Sequence, residues 1–216
     1  MVRKYIGSKI NFMCKKIVFL LIIVFSSKTF YAQDTSSKVK LGFDYGFGNE
    51  LKNSDYTYTN SYYKLQLYYT IKQTKNFEYE ILVQPELNFA KHQLLNFYFV
   101  QPDDPNYIEK RERYTKLKDI KEYVLNIGFL MRKPISKTAS IYVLGSVGPL
   151  FTDTETERLS KGFAFSDVLA IGFTFKISKI IFDIRPNFRH VSNAGLQSSN
   201  SGYNTKNIDF GFSFPI

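Results

Sequence analysis

Residues 180–192 read Ile-Ile-Phe-Asp-Ile-Arg-Pro-Asn-Phe-Arg-His-Val-Ser. Apolar Ile180, Phe182, Ile184 and Phe188 alternate with Asp183, Arg185, Asn187 and Arg189. Period two is the spacing of a β-strand, whose successive side chains point to opposite faces. One face is greasy and the other carries three charges. A soluble sandwich also alternates, but its polar face meets water over the outside. A charged cluster behind an aromatic face suits a narrow polar interior wrapped by a lipid-facing exterior.

The pattern repeats in both directions from this segment. Phe163, Phe165, Leu169, Ile171, Phe173 and Phe175 precede it, and Ile208, Phe210, Phe212, Phe214 and Ile216 follow it. Further upstream, Val39 to Phe47, Leu65 to Ile71, Phe77 to Phe89, Tyr123 to Met131 and Ile141 to Phe151 alternate in the same way. Glu78, Glu80 and Glu86 share the polar face of one such segment. The eight segments are joined alternately by short turns near 73–76, 133–138 and 177–179 and by longer segments near 49–61, 90–120, 152–161 and 193–206. Short periplasmic turns and longer outer loops are the asymmetry of outer-membrane barrels. The terminal strand of alternating aromatics fits the same class. The expected fold is all-β, an eight-stranded antiparallel transmembrane outer-membrane β-barrel. Ten strands, with 93–100 (QLLNFYFV) extending a hairpin, and a soluble periplasmic β-sandwich remain open. Eight strands leave an interior just wide enough for side chains, so the inward charges are expected to form a plug rather than line a pore.

The chain of 216 residues carries Lys+Arg 29 and Asp+Glu 19, a formal +10 that suggests nucleic acid. That basicity is concentrated at the start. Arg3, Lys4, Lys9, Lys15 and Lys16 precede the apolar run Ile17–Phe25, and Phe30-Tyr31-Ala32 ends in a small residue. This reads as a cleaved signal peptide over 1–32, with 33–216 as the barrel. The apolar run is too short to span a bilayer. Without its six basic residues the mature chain has 23 Lys/Arg against 19 Asp/Glu, a net of +4. No nucleic-acid partner is expected. Cys14, the only cysteine, also falls in the leader, leaving His92 and His190 as the only histidines. A His/Cys zinc site is therefore not expected, and neither a metal nor another cofactor is required. His92 alone carries no functional signal. The loop 101–122, with Lys110, Arg111, Arg113, Lys116, Lys118 and Lys121 among as many acids, reads as a solvated loop.

The strand 180–192 ends in polar residues on its lipid-facing register: His190 and then Ser192. Two apart on a strand, they share a face at about 7 Å between Cα atoms. That is the minimum for base-activated nucleophilic attack. If Ser178-Lys179 is a two-residue turn, Ile177 pairs with Ile180, Phe175 with Phe182, Leu169 with Phe188 and Asp167 with His190. A carboxylate facing lipid costs free energy. Beside a histidine it gains a role, orienting the ring and stabilising its charged form.

The stretch His190-Val191-Ser192-Asn193-Ala194-Gly195-Leu196, followed by Asn200-x-Gly202, resembles the PagL-type lipid A deacylases, acyloxyacyl hydrolase-like barrels. The resemblance extends through Phe165-x-Asp167 and to the terminal Phe-Pro-Ile; earlier strands match only in architecture. It implies an integral outer-membrane enzyme that removes the 3-O-linked acyl chain from lipid A of lipopolysaccharide in the outer leaflet. By the family pattern Ser192 is the nucleophile and His190 the general base. Asn200, with backbone around Asn193 to Gly195, lies near the oxyanion. One departure matters: the family's third member is often a glutamate fourteen residues after the histidine, and here that position is Asn204. Either Asp167 supplies the carboxylate, or Asn204 serves alone, or the site has decayed and the barrel is structural or adhesive. Acyl-chain preference and oligomeric state are not legible.

Overall fold

The computed structural model describes residues 37–216, so the expected signal peptide over 1–32 lies outside the described residues. The eight expected strands form: β1 (Val39–Glu50), β2 (Tyr56–Gln73), β3 (Glu78–Leu94), β4 (Lys118–Pro134), β5 (Ala139–Thr152), β6 (Gly162–Ile177), β7 (Ile180–Ser192) and β8 (Tyr203–Pro215). Each pairs antiparallel with its sequence neighbour, and β1 pairs with β8, closing the barrel. Closure removes the unpaired edges that would otherwise meet lipid. The sandwich and ten-strand alternatives fall here. Residues 93–100 do not make an added hairpin: β3 ends at Leu94, and Phe97–Phe99 turn into a short 3₁₀ helix.

The barrel is sheared, and the shear can be read from the ladder. Stepping by direct partners from His190 leads through Asp167, Val147, Ile127, Val83, Leu67 and Leu41 to Phe214. Phe214 follows Ser213, the partner of Ile181, so the row returns to β7 level with Ile180, ten residues below its start. A row across the strands from the outer end of β7 toward β3 therefore sinks into the membrane.

Alternation decides the two faces. Phe43, Leu65, Ile81, Phe129, Val143, Ile171 and Phe212 are exposed on the outside. Inside, charges are paired. Arg185 is held between Asp44 and Asp209, and its Nε lies 2.9 Å from Asp209. Lys64 lies 3.0 Å from Asp209, Arg189 lies 2.6 Å from Glu86 and Arg132 lies 3.0 Å from Glu80. Tyr142 donates to Asp183 at 2.6 Å. Pairing is what makes such charges tolerable away from water. Glycine gives the large rings room: a Cβ at Gly172 would sit 2.0 Å from the Tyr142 ring.

The outer end is plugged. Tyr56, Tyr58, Ile120, Leu150, Leu159, Val191 and Tyr203 form one buried cluster. His92 sits among the rings of Tyr56, Tyr58 and Tyr203, fully buried, with Nε2 2.9 Å from Glu157. His92 has a structural place: it ties β3 to the β5–β6 loop. The loop between β3 and β4 is only partly a solvated coil, because it carries helix α1 (Tyr107–Tyr114). Tyr114 is buried and donates to Glu155 at 2.7 Å. Burial and that bond push its hydroxyl up to about 12, so it stays a neutral donor.

Candidate active site

The two-residue turn at Ser178-Lys179 sets the register of β6 against β7. Ser178 takes the left-handed conformation at φ 57°, and Ile177 pairs with Ile180. Asp167 then falls opposite His190, as the sequence predicts. On the other side His190 pairs with Asn204 of β8. Asp167, His190 and Asn204 thus lie side by side on the outward face, with neighbouring Cβ atoms about 5 Å apart. Arg189 and Val191 point inward and are buried.

The histidine chooses one neighbour. Its Nδ1 lies 2.8 Å from Oδ1 of Asn204. An amide oxygen accepts only, so Nδ1 carries the proton and Nε2 is left as the basic nitrogen. Among the described hydrogen bonds none joins Asp167 to His190. The two are ladder neighbours without a described bond between their side chains. None of the described bonds joins His190 to Ser192 either; catalytic bonds of this kind often tighten only when substrate is seated.

The segment after Ser192 is a tightly bonded loop. Asn193 is fully buried. Its N–H donates to Asn200 Oδ1 at 2.7 Å, its Nδ2 donates to Ser199 O at 2.9 Å, and its Oδ1 accepts the Gly195 N–H at 3.1 Å. Two of the backbone donors expected near the oxyanion, Asn193 and Gly195, are therefore engaged in holding the loop. Among the described residues the Ala194 N–H and Asn200 Nδ2 donate to no protein acceptor. Ala194 and Gly195 adopt φ 53° and 77°, which turns the chain sharply beside Ser192.

Two residues that sequence reasoning missed, or saw only as part of a motif, hold this loop against the barrel. Gly202, at φ 64°, packs on β7: a Cβ there would lie 2.3 Å from Val191 O and 3.4 Å from both His190 Cε1 and Ser192 Cβ. Arg158 donates from Nε to Gly202 O at 2.6 Å while its own carbonyl accepts the Gly202 N–H at 3.0 Å. Its guanidinium lies 4.6 Å from the Tyr56 ring centre and 5.1 Å from that of Phe99. A lone arginine in a polar loop gives no sequence signal for this. Gly202 stood in the Asn-x-Gly motif, but its contact with both His190 and Ser192 required the fold.

A groove of about 740 Å³ opens on the outward surface, lined at one end by His190, Asp167 and Asn204. Among the described residues no cluster of three or more His, Cys, Asp or Glu is arranged to hold a metal ion.

A closed eight-stranded barrel with an apolar belt and a polar plugged interior defines the class: an integral outer-membrane β-barrel, here with a Ser/His pair on its lipid-facing rim. Residues 107–213 match the family model described as Lipid A 3-O-deacylase (PagL). Among solved structures, the chain is similar to the outer membrane enzyme PagL at TM-score 0.54 and 13% identity, covering 81% of this chain and 99% of that one. It is also similar to Neisserial surface protein A at TM-score 0.50 and 8% identity, covering 85% of this chain and 100% of that one. At these identities the structural likeness speaks for the fold. No curated protein matches the sequence.

Proposed function

We propose that the protein is an outer-membrane ester hydrolase that removes the 3-O-linked acyl chain of lipid A. The observation that carries this reading is the bond from His190 to Asn204 on the outward face, two residues before Ser192 on the same strand. It presets the tautomer a general base needs, at a place that a lipid reaches laterally without leaving the membrane. The family match over residues 107–213 supports the substrate class.

In the proposed reaction, Ser192 Oγ attacks the ester carbonyl while His190 Nε2 takes its proton. The oxyanion is met by two donors of the loop after Ser192 that hold no protein acceptor among the described residues, Asn200 Nδ2 and the Ala194 N–H. Collapse breaks the ester C–O bond, and the imidazolium gives its proton to the departing sugar oxygen, which leaves as the hydroxyl. Water, activated by the same histidine, then hydrolyses the acyl-serine and releases the fatty acid. Asn204 keeps Nδ1–H in place throughout but brings no charge to the imidazolium. The reaction draws on the protein's own side chains and needs no metal.

One observation favours a second reading. A neutral Asn204 where the family pattern often has glutamate is what a decayed site on a structural or adhesive barrel would show. A lipid A mass spectrum separates the two. The protein is produced in a Gram-negative host lacking its own deacylase, beside Ser192→Ala and His190→Ala, each checked for heat-modifiable migration. Loss of one hydroxyacyl mass in the unsubstituted protein alone is the expected result. Unchanged lipid A in all three overturns the deacylase reading in favour of the second.

A further inference from the structure

The end of the barrel that carries the short turns is charged on one side only. Each turn brings two lysines: Lys72 and Lys75 where β2 meets β3, Lys133 and Lys137 where β4 meets β5, and Lys176 and Lys179 where β6 meets β7. Lys38 stands just before β1. All seven are exposed, and none of them takes part in an ion pair among the described residues. The acidic side chains nearest this end are already held. Glu78 lies 3.3 Å from Lys40, Glu80 lies 3.0 Å from Arg132, and Asp183, deeper in, accepts from Tyr142. The outer end differs: there Lys91, Lys110, Arg113 and Lys116 each have a carboxylate at 3.0–3.7 Å.

Short turns fix the depth of this charge. Ile71 precedes Lys72, Ile135 lies between Lys133 and Lys137, and Ile177 and Ile180 flank Ser178-Lys179. All four isoleucines are exposed at the end of the apolar belt. The ammonium groups therefore stand where hydrocarbon gives way to headgroups, within reach of a lysine's flexible stem. Backbone bonds gather them. The Lys176 N–H donates to Thr138 O at 2.7 Å, which draws the β4–β5 turn beside Lys176, and the Thr70 N–H donates to Lys38 O at 2.7 Å, which brings Lys38 to the end of β2 that carries Lys72. At the first of these junctions a cavity of about 170 Å³ opens, lined by four cations, Lys40, Arg132, Lys137 and Lys176, against one carboxylate, Glu78.

We propose that this rim binds the phosphates of anionic glycerophospholipids in the periplasmic leaflet, with the cavity between Lys137 and Lys176 as the seat of one headgroup. Lysines without carboxylate partners, held at headgroup depth, attract anionic lipid. Lipid phosphates occupy that depth already, at the ends of the chains that cover Ile71, Ile135, Ile177 and Ile180. A soluble acidic partner would have to reach it from the periplasm. The proposal is independent of the hydrolase reading, because these groups stand at the opposite end of the barrel from His190 and Ser192.

The test uses the full protein folded in nonionic micelles, with retained lipid counted by native mass spectrometry. The probes are phosphatidylglycerol and phosphatidylethanolamine with the same acyl chains. The parent protein is expected to retain phosphatidylglycerol over phosphatidylethanolamine by about fivefold or more, the scale of a single lysine at an anionic surface. That preference is expected to fade as salt is raised, a readout that needs no variant. Lys137→Gln with Lys176→Gln is expected to lower it severalfold, and Lys137→Arg with Lys176→Arg to keep it. Lys91→Gln with Lys121→Gln, on the outward face near the outer rim, is expected to leave it unchanged, as is Ser192→Ala. Equal retention of the two lipids by the parent at low salt overturns the proposal and leaves an acidic periplasmic macromolecule as the partner of the rim. Inorganic phosphate that displaces phosphatidylglycerol at an ionic strength where chloride does not would overturn the lipid as the source of the phosphate. Outer-rim variants that lose as much as the turn variants overturn the assignment to this end of the barrel.

Discussion

The Nδ1 of His190 and the Oδ1 of Asn204 stand 2.8 Å apart across the β7–β8 ladder. In the proposed site this bond gives the third position to an amide, with Asp167 on the opposite flank of the ring and no described bond joining the two. An amide oxygen fixes the right tautomer. It does not supply the charge that would stabilise imidazolium.

Asn204→Asp is therefore expected to raise turnover. A carboxylate in contact favours the imidazolium, and each unit of pKa rise corresponds to a tenfold stronger stabilisation of that form. Because the base works only when neutral, the rising limb of the pH–rate profile is expected to move to higher pH in the variant. A pH profile of kcat/KM on a soluble ester checks both, and an unchanged limb would show that the carboxylate does not reach the ring.

Asp167→Asn is expected to cost little. Its charge acts across about 5 Å at the wet rim, worth about 0.8 kcal/mol if the medium is water-like, or roughly fourfold in rate. Asn204→Ala removes the orienting bond, and its loss is expected to be far larger, on the order of the 10⁴ seen when a serine triad's histidine takes the wrong tautomer. If the two variants rank the other way, Asp167 is the true third member.

Gly202→Ala is expected to lower activity while the barrel stays intact. Its left-handed backbone costs a side-chain-bearing residue about 1–2 kcal/mol. The added methyl would also press on Val191 O, with His190 and Ser192 as its next neighbours. Heat-modifiable gel migration should match the parent protein while kcat falls. Equal activity would mean that the 193–202 loop sits apart from the chemistry.

Arg185→Leu addresses the interior instead. Arg185 is the shared partner of Asp44 and Asp209. Removing it leaves buried carboxylates short of their compensating charge, a loss of about 3–5 kcal/mol for pairs of this kind. The midpoint of urea unfolding in micelles should fall. Replacing Asp44 and Arg185 together should cost less than the sum of the two single changes.

Much of this protein was written in the order of its residues. Period-two patterning specified the strands and their faces, because a lipid outside and a side-chain-filled inside leave no third environment. The two-residue turn at Ser178-Lys179 made the β6–β7 register computable by counting, which places Asp167 opposite His190 from the sequence alone. The short motif from His190 to Gly202 pointed to the site. What counting along the chain did not decide was which neighbour the His190 ring would bond. Asp167 and Asn204 flank it on two ladders, and only the side-chain conformations in the closed barrel select Asn204. Closure also decided the packing of the outer end. Glu157 meets His92, and Arg158 meets Gly202, across loops separated by more than forty residues of sequence. Local periodicity reports which way a side chain faces; which residues then meet depends on a ring of eight ladders closing at one shear, a property of the whole chain.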